Sequence, residues 1–231
     1  MPKMPYDRDS WYSAVEPRYT VTYTTGPYGA YAARRRFPTS RVEIRDITAA
    51  LVALTLGFWW VIYVPGGRGP WFYLGLAALS VVAGFFIHEM SHKFVARRYG
   101  CWAEFRADYR GLGLMLVVAY FGFLFAAPGA VMIFGNISRE QNGKISLAGP
   151  GSNLLVALAC LPFAFMTLAG VSDLIGEIAF RLYFFNVFLA AFNMIPVSPL
   201  DGSKIWRWSR PVYVGTLLAA GMLFILAFTG L

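Results

Sequence analysis

"GFFIHEMSHKFVARRYG", Gly84 to Gly100, closes a run without a single charge, "WFYLGLAALSVVAGFFI", Trp71 to Ile87. An apolar run of this length predicts a membrane helix, because about 20 residues at 1.5 Å each match a hydrocarbon core of about 30 Å. The run ends by setting His88, Glu89 and His92 where water is scarce. Residues four apart share a helix face, so His88 and His92 are placed to ligate one ion. Glu89, next along the helix, is turned to reach a water rather than the ion. In an H-E-x-x-H helix the histidines bind zinc and the glutamate serves as base. The chain has 2 histidines, and both lie in this motif. The alternative, two histidines capping an interfacial helix beside Lys93, leaves the carboxylate between them without a purpose. Ionisable groups inside a span are costly and point to function.

The rest of the chain supplies the membrane. Of 231 residues, 58% are apolar, too many for an ordinary soluble domain. The composition predicts an all-α polytopic membrane protein with five to six transmembrane helices. A polar cytoplasmic tail over 1–46 precedes one membrane domain over 47–231. The tail has no apolar core and so is not read as a signal peptide. The formal net charge is +8. The basic residues sit in particular loops, which reads as orientation toward a cytoplasmic leaflet rather than as binding of nucleic acid. Cys101 and Cys160 form neither a metal spacing nor a disulfide framework.

Spans are predicted over 47–64, 71–98, 145–170, 175–200 and 211–230. Ser40 caps a short amphipathic helix, "RVEIRD", before the first. Arg and Lys are concentrated in the tail, 93–110, 136–146 and 201–210, which places those segments and the N-terminus inside. Segment 111–135 is then flanked by loops on one side of the membrane. It must dip in and return, or lie in the interface; a sixth ordinary span would violate the charge rule. Non-helical backbone at membrane depth needs protein or a wet cavity around it.

A catalytic zinc takes a third protein ligand and keeps one position open. No histidine remains. His88 lies roughly 25 Å along its span, near the cytoplasmic end, so the partner must sit at that depth. Asp173 and Glu177 fall at the opposite end, and Cys160 lies mid-span among apolar neighbours. Glu104, Asp108 and Glu140 are read as solvated loop acids. Asp201 ends the fourth span after "NMIPVSPL", whose prolines break the helix and turn the carboxylate toward the site. A plain "DG" turn is the competing reading.

These residues resemble the site-2 protease family, zinc metalloproteases that cut within the membrane. "HEMSH" matches its HExxH, "NMIPVSPLDG" over Asn193 to Gly202 its LDG element, and "GPGSN" over Gly149 to Asn153 a glycine-rich element. The likeness covers about 71–205. It implies a three-helix catalytic core with outer helices and a small β element between core helices one and two. We place those strands at "AVMIFG", 130–135, and "GKISL", 143–147. The resemblance implies one Zn2+ held by His88, His92 and Asp201, with Glu89 as catalytic base. It implies transmembrane protein substrates in the lipid bilayer of the cell membrane of a prokaryote. Many bacterial members carry a PDZ domain, and no segment here is long enough for one, so a member without a PDZ domain is expected. Asn153 and Asn193 are candidates for contacting the substrate carbonyl or oxyanion; for Asn153 an inter-helix hydrogen bond is the alternative. Ser203 stands where many members have a second glycine.

Two rivals remain. A zinc or proton transporter would need a polar path through the outer half of the spans, which offers little beyond Glu177 and Arg181. A silent binder would not need Glu89. For a protease, Gly111, Gly113, Pro128 and Gly129 are the candidate joints of a gate formed by 111–135.

Overall fold

The computed structural model describes residues 39–123, 128–168 and 174–229. The tail up to 38 and the turn holding Asp173 lie outside the described residues. Among those described, five helices are long and apolar enough to cross a membrane. Helix α1 is Arg41–Ile62 and α2 is Pro70–Arg98. A hairpin of β1 (Trp102–Ala107) and β2 (Gly129–Phe134) brackets α3 (Tyr109–Tyr120). Helices α4 (Arg139–Leu168), α5 (Leu174–Asn193), α6 (Asp201–Trp208) and α7 (Arg210–Thr229) follow.

Ser40 caps α1, accepting from Glu43 N at 3.1 Å. The short amphipathic helix and the first span expected separately are one helix, because no breaking residue stands between Asp46 and Ile47. Helix α2 opens with Pro70 in its first turn, where a missing N–H costs nothing. It carries one π turn, Val82–Phe86, directly before the HEMSH motif.

One strand expectation needs correction. Residues 143–147 are helical, inside α4. A capping box explains why: Gln141 N donates to Ser138 Oγ at 3.1 Å, and Ser138 N donates to Gln141 Oε1 at 2.9 Å. The partner of β2 is β1, in a segment read from the sequence as a solvated loop. The strands are antiparallel, pairing Trp102 with Phe134 and Ala107 with Gly129. Glu104 is buried, not solvated. Its carboxylate accepts from Arg106 at 2.5 Å and from Ser40 Oγ at 3.0 Å.

Helix α3 has 12 residues, an axial length of about 18 Å, short of a core of about 30 Å. The chain leaves the hairpin at Ala107 and returns to it at Gly129, opposite its point of departure. The excursion therefore goes out and comes back. Helix α3 packs on α1 through Leu112, Met115 and Ala119, beside Leu54 and Phe58. Gly57 gives α3 its close approach: a Cβ there would stand 3.4 Å from Ala119 Cβ.

Helix α4 lies against α2, α5 and α6. Ala157, Ala164, Ala179, Tyr183 and Val187 fill the α4–α5 seam. The outer faces stay apolar and exposed, as at Leu155, Leu218, Met222 and Phe228.

Candidate metal centre

The π turn and the "GPGSN" stretch build the site together. Gly84 lies in the π turn and packs under Phe185, where a Cβ would stand 2.6 Å from the ring. The widened turn lets its carbonyl accept from Asn153 Nδ2 at 3.2 Å. Asn153 also donates to Asn186 Oδ1 at 2.9 Å. Both amide hydrogens are thus engaged, and its oxygen faces His88 Nδ1 at 2.5 Å. His92 Nδ1 faces the carbonyl of Ile145 at 2.7 Å.

These partners fix the tautomers. Carbonyl oxygens only accept, so both Nδ1 atoms donate and both Nε2 atoms present lone pairs. The Nε2 atoms lie 3.0 Å apart. Asp201 Oδ2 lies 3.0 Å from His92 Nε2 and 3.4 Å from His88 Nε2. Three acceptors in a buried space repel one another unless a cation lies between them. Ligands about 2.05 Å from a tetrahedral ion are about 3.3 Å apart, so the triangle fits such an ion. Gly149 keeps the space open: a Cβ there would stand 2.5 Å from His88 Nε2 and closer to His92 Nε2.

Asp201 is the first residue of α6. The α5 helix stops at Asn193, and the following turn presses Gly202 against the Met194 carbonyl, where no Cβ fits. Tyr213 donates to the same carbonyl at 3.0 Å. The second oxygen of Asp201 lies 3.4 Å from Lys204 Nζ. Ser203, in place of a second glycine, donates its hydroxyl to Leu200 O at 2.8 Å.

His88, Glu89, His92 and Asp201 line a cavity of about 680 Å3, walled also by β2 and the turn after α5. Glu89 Oε2 accepts from Val131 N of β2 at 3.2 Å. Asn193 lines the same cavity, with its amide donating to Leu189 O at 3.0 Å. Asn153 is fully buried behind His88 with no hydrogen left for a substrate oxygen; its place is that of the inter-helix bond. Pro128 and Gly129 line the cavity but are pinned at the hairpin, where Asp108 N donates to Pro128 O at 3.1 Å. Gly129, at φ 137, has Ala107 Cα 2.8 Å from where its Cβ would be. Gly111 and Gly113 are within α3, away from the metal group. Cys101 packs with Ala96, Ala103 and Ile145, and burial pushes its thiol pKa up. Asn186 escaped the sequence reading; a lone asparagine inside "FRLYFFNVFLAAF" was the available signal.

Several known proteins are similar to the chain. A protein of Methanocaldococcus jannaschii named "Putative zinc metalloprotease MJ0611" is 39% identical over 197 residues, covering 82% of this chain and 97% of that protein. "Putative zinc metalloprotease Rip3" of Mycobacterium tuberculosis is 29% identical over 138 residues, 58% of this chain and 31% of that protein. "Zinc metalloprotease MJ0392", also of M. jannaschii, is 26% identical over 150 residues, 65% of this chain and 34% of that protein. No family model and no solved structure matches the chain.

Proposed function

The chain belongs to the zinc metalloprotease family of its M. jannaschii relative, and on that premise we propose that it is an intramembrane endopeptidase of the site-2 type. Zinc is its cofactor. The observation that carries the reading is one wall of one cavity: three convergent ligand atoms, a carboxylate beside them and the edge of a strand.

His88, His92 and Asp201 would hold the ion. When bound, zinc supplies a Lewis acid that makes water a nucleophile near pH 7 and polarises a carbonyl. Glu89 takes the proton of the attacking water and returns it to the leaving amine as the carbon–nitrogen bond breaks. Asn153 holds His88 in the tautomer that leaves Nε2 free.

Apolar outer faces on long helices support a multi-pass protein in lipid. Arg106 and Lys204 at the cavity support an opening toward the cytoplasm. A substrate helix must unwind to be cut, and its freed backbone groups need partners that lipid lacks. The outer edge of β2 offers them. Phe105 N points away from β2, so its partner Val131 turns its own N–H and C=O to the far side, the N–H onto Glu89, and Gly129 and Ile133 face the same way. A substrate strand added there would lie beside Glu89.

The test is purified protein in detergent, measured for zinc and for cleavage of a membrane-helix substrate. The reading requires about one zinc per chain and cleavage stopped by a chelator. Zinc binding without cleavage of any membrane substrate would favour the silent binder.

A further inference from the structure

A two-stranded sheet has two outer edges, and each is a template for an added strand. In this chain β1 is not free. Glu43 and Asp46 stand one turn apart on α1 and reach alternate amides of β1. Glu43 Oε1 accepts from Phe105 N at 3.0 Å, and Asp46 Oδ2 accepts from Ala107 N at 3.3 Å. Both acids are buried. Their remaining partners draw the same elements together. Lys93, next to His92 on α2, donates to Glu43 at 2.5 Å. Tyr109 at the start of α3 donates to Asp46 at 2.8 Å.

We propose that Glu43 and Asp46 are positioning residues that close the β1 edge and hold the hairpin against α1, so that an extended substrate adds only to β2, at a fixed distance from Glu89. The inference rests on the proteolytic reading for its substrate but not for the cap. Two acidic side chains facing a strand edge act as a substitute strand: they satisfy N–H donors that otherwise attract a polypeptide. The contact runs on through the β1–β2 ladder to Val131, whose N–H meets Glu89. Displacement of β1 therefore moves the groups that would hold substrate, while His88, His92 and Asp201 stay on α2 and α6. Phe105 sets the depth of the hairpin by packing edge-on against Phe85, with ring centroids 5.7 Å apart.

The variants are chosen to avoid stranding a buried charge. Asp46→Ala removes the acceptor of Ala107 N, and its ionic partner Arg45 is exposed. Asp46→Asn keeps an oxygen acceptor. Glu43→Leu combined with Lys93→Leu removes the ion pair as a unit and leaves Phe105 N without an acceptor. Hydrogen–deuterium exchange over 102–109 in the zinc-loaded protein should rise for Asp46→Ala and for the double variant, and stay near wild type for Asp46→Asn. With a membrane-helix substrate, KM should rise about fivefold for Asp46→Ala, the worth of one hydrogen bond, with kcat and zinc content nearly unchanged. Asp46→Asn should restore KM. Unchanged exchange in Asp46→Ala would overturn the cap. Faster exchange with wild-type KM would overturn its role in positioning substrate. Wild-type protein that cuts nothing would defeat the proteolytic reading and leave the exchange result to decide the cap alone.

Discussion

His88 Nδ1 faces the side-chain oxygen of Asn153 at 2.5 Å, and that oxygen is aimed because both amide hydrogens of Asn153 are held elsewhere. The orientation of the His88 imidazole is thus set by a chain of buried amides reaching Asn186 on α5. Asn186 is itself anchored, donating to Leu182 O at 2.9 Å.

Asn153→Leu should lower zinc affinity by about 10–100-fold, the usual cost of losing a partner behind a metal-ligating histidine. Asn186→Leu should cost less. Because Asn186 acts through Asn153, the double variant should be no worse than Asn153→Leu alone. Titration with a competing chelator reads this directly. Additive losses would separate the two residues, and full affinity in Asn153→Leu would remove it from the metal centre.

Asp201→Ala should remove both zinc and cleavage. Asp108→Ala and Glu140→Ala should keep zinc, since neither joins the ligand group. Glu104→Ala should keep zinc as well but lower thermal stability, because it leaves Arg106 and Ser40 without their shared acceptor. Metal analysis of folded protein checks all four.

Topology is open to cysteine labelling in a background without Cys101 and Cys160. Pro65→Cys should react with an impermeant reagent in intact cells. Asn136→Cys should react only after permeabilisation. External labelling at 136 would make 111–135 a true span and contradict the out-and-back path of the chain.

If 111–135 forms a gate, its helix α3 would move against α1 rather than against α2, α4 and α5, because α3 packs on α1. A disulfide between Gly57→Cys and Ala119→Cys is within reach there, since the Cβ positions lie 3.4 Å apart, just under the usual span of about 3.5–4.5 Å. Oxidation should slow cleavage of a membrane-embedded substrate and spare a short soluble peptide. Equal effects on both substrates, or none on either, would exclude α3 from gating.

Much of this arrangement was legible in the sequence where chemistry and depth coincide. His88 and His92 were marked by spacing, and Asp201 by its place after the prolines that break the helix before it. The out-and-back course of 111–135 followed from where the arginines and lysines lie. What the sequence hid was polar burial between distant segments. "WAEFRA" looks solvated because its charges are visible and their partners, Ser40 and Glu43 some 60 residues earlier, are not. "GKISL" has strand composition, but Ser138 and Gln141 had already started a helix. Asn153 pointed to the site, yet only the position of Asn186 decides which of its atoms faces His88.

The central claim is that Glu89 is a base and not a ligand. The most direct measurement is Glu89→Gln in purified protein, scored for zinc and for cleavage of a membrane-helix substrate on the same sample. The account predicts wild-type zinc and cleavage reduced to background. Loss of zinc, or cleavage near the wild-type rate, would contradict it.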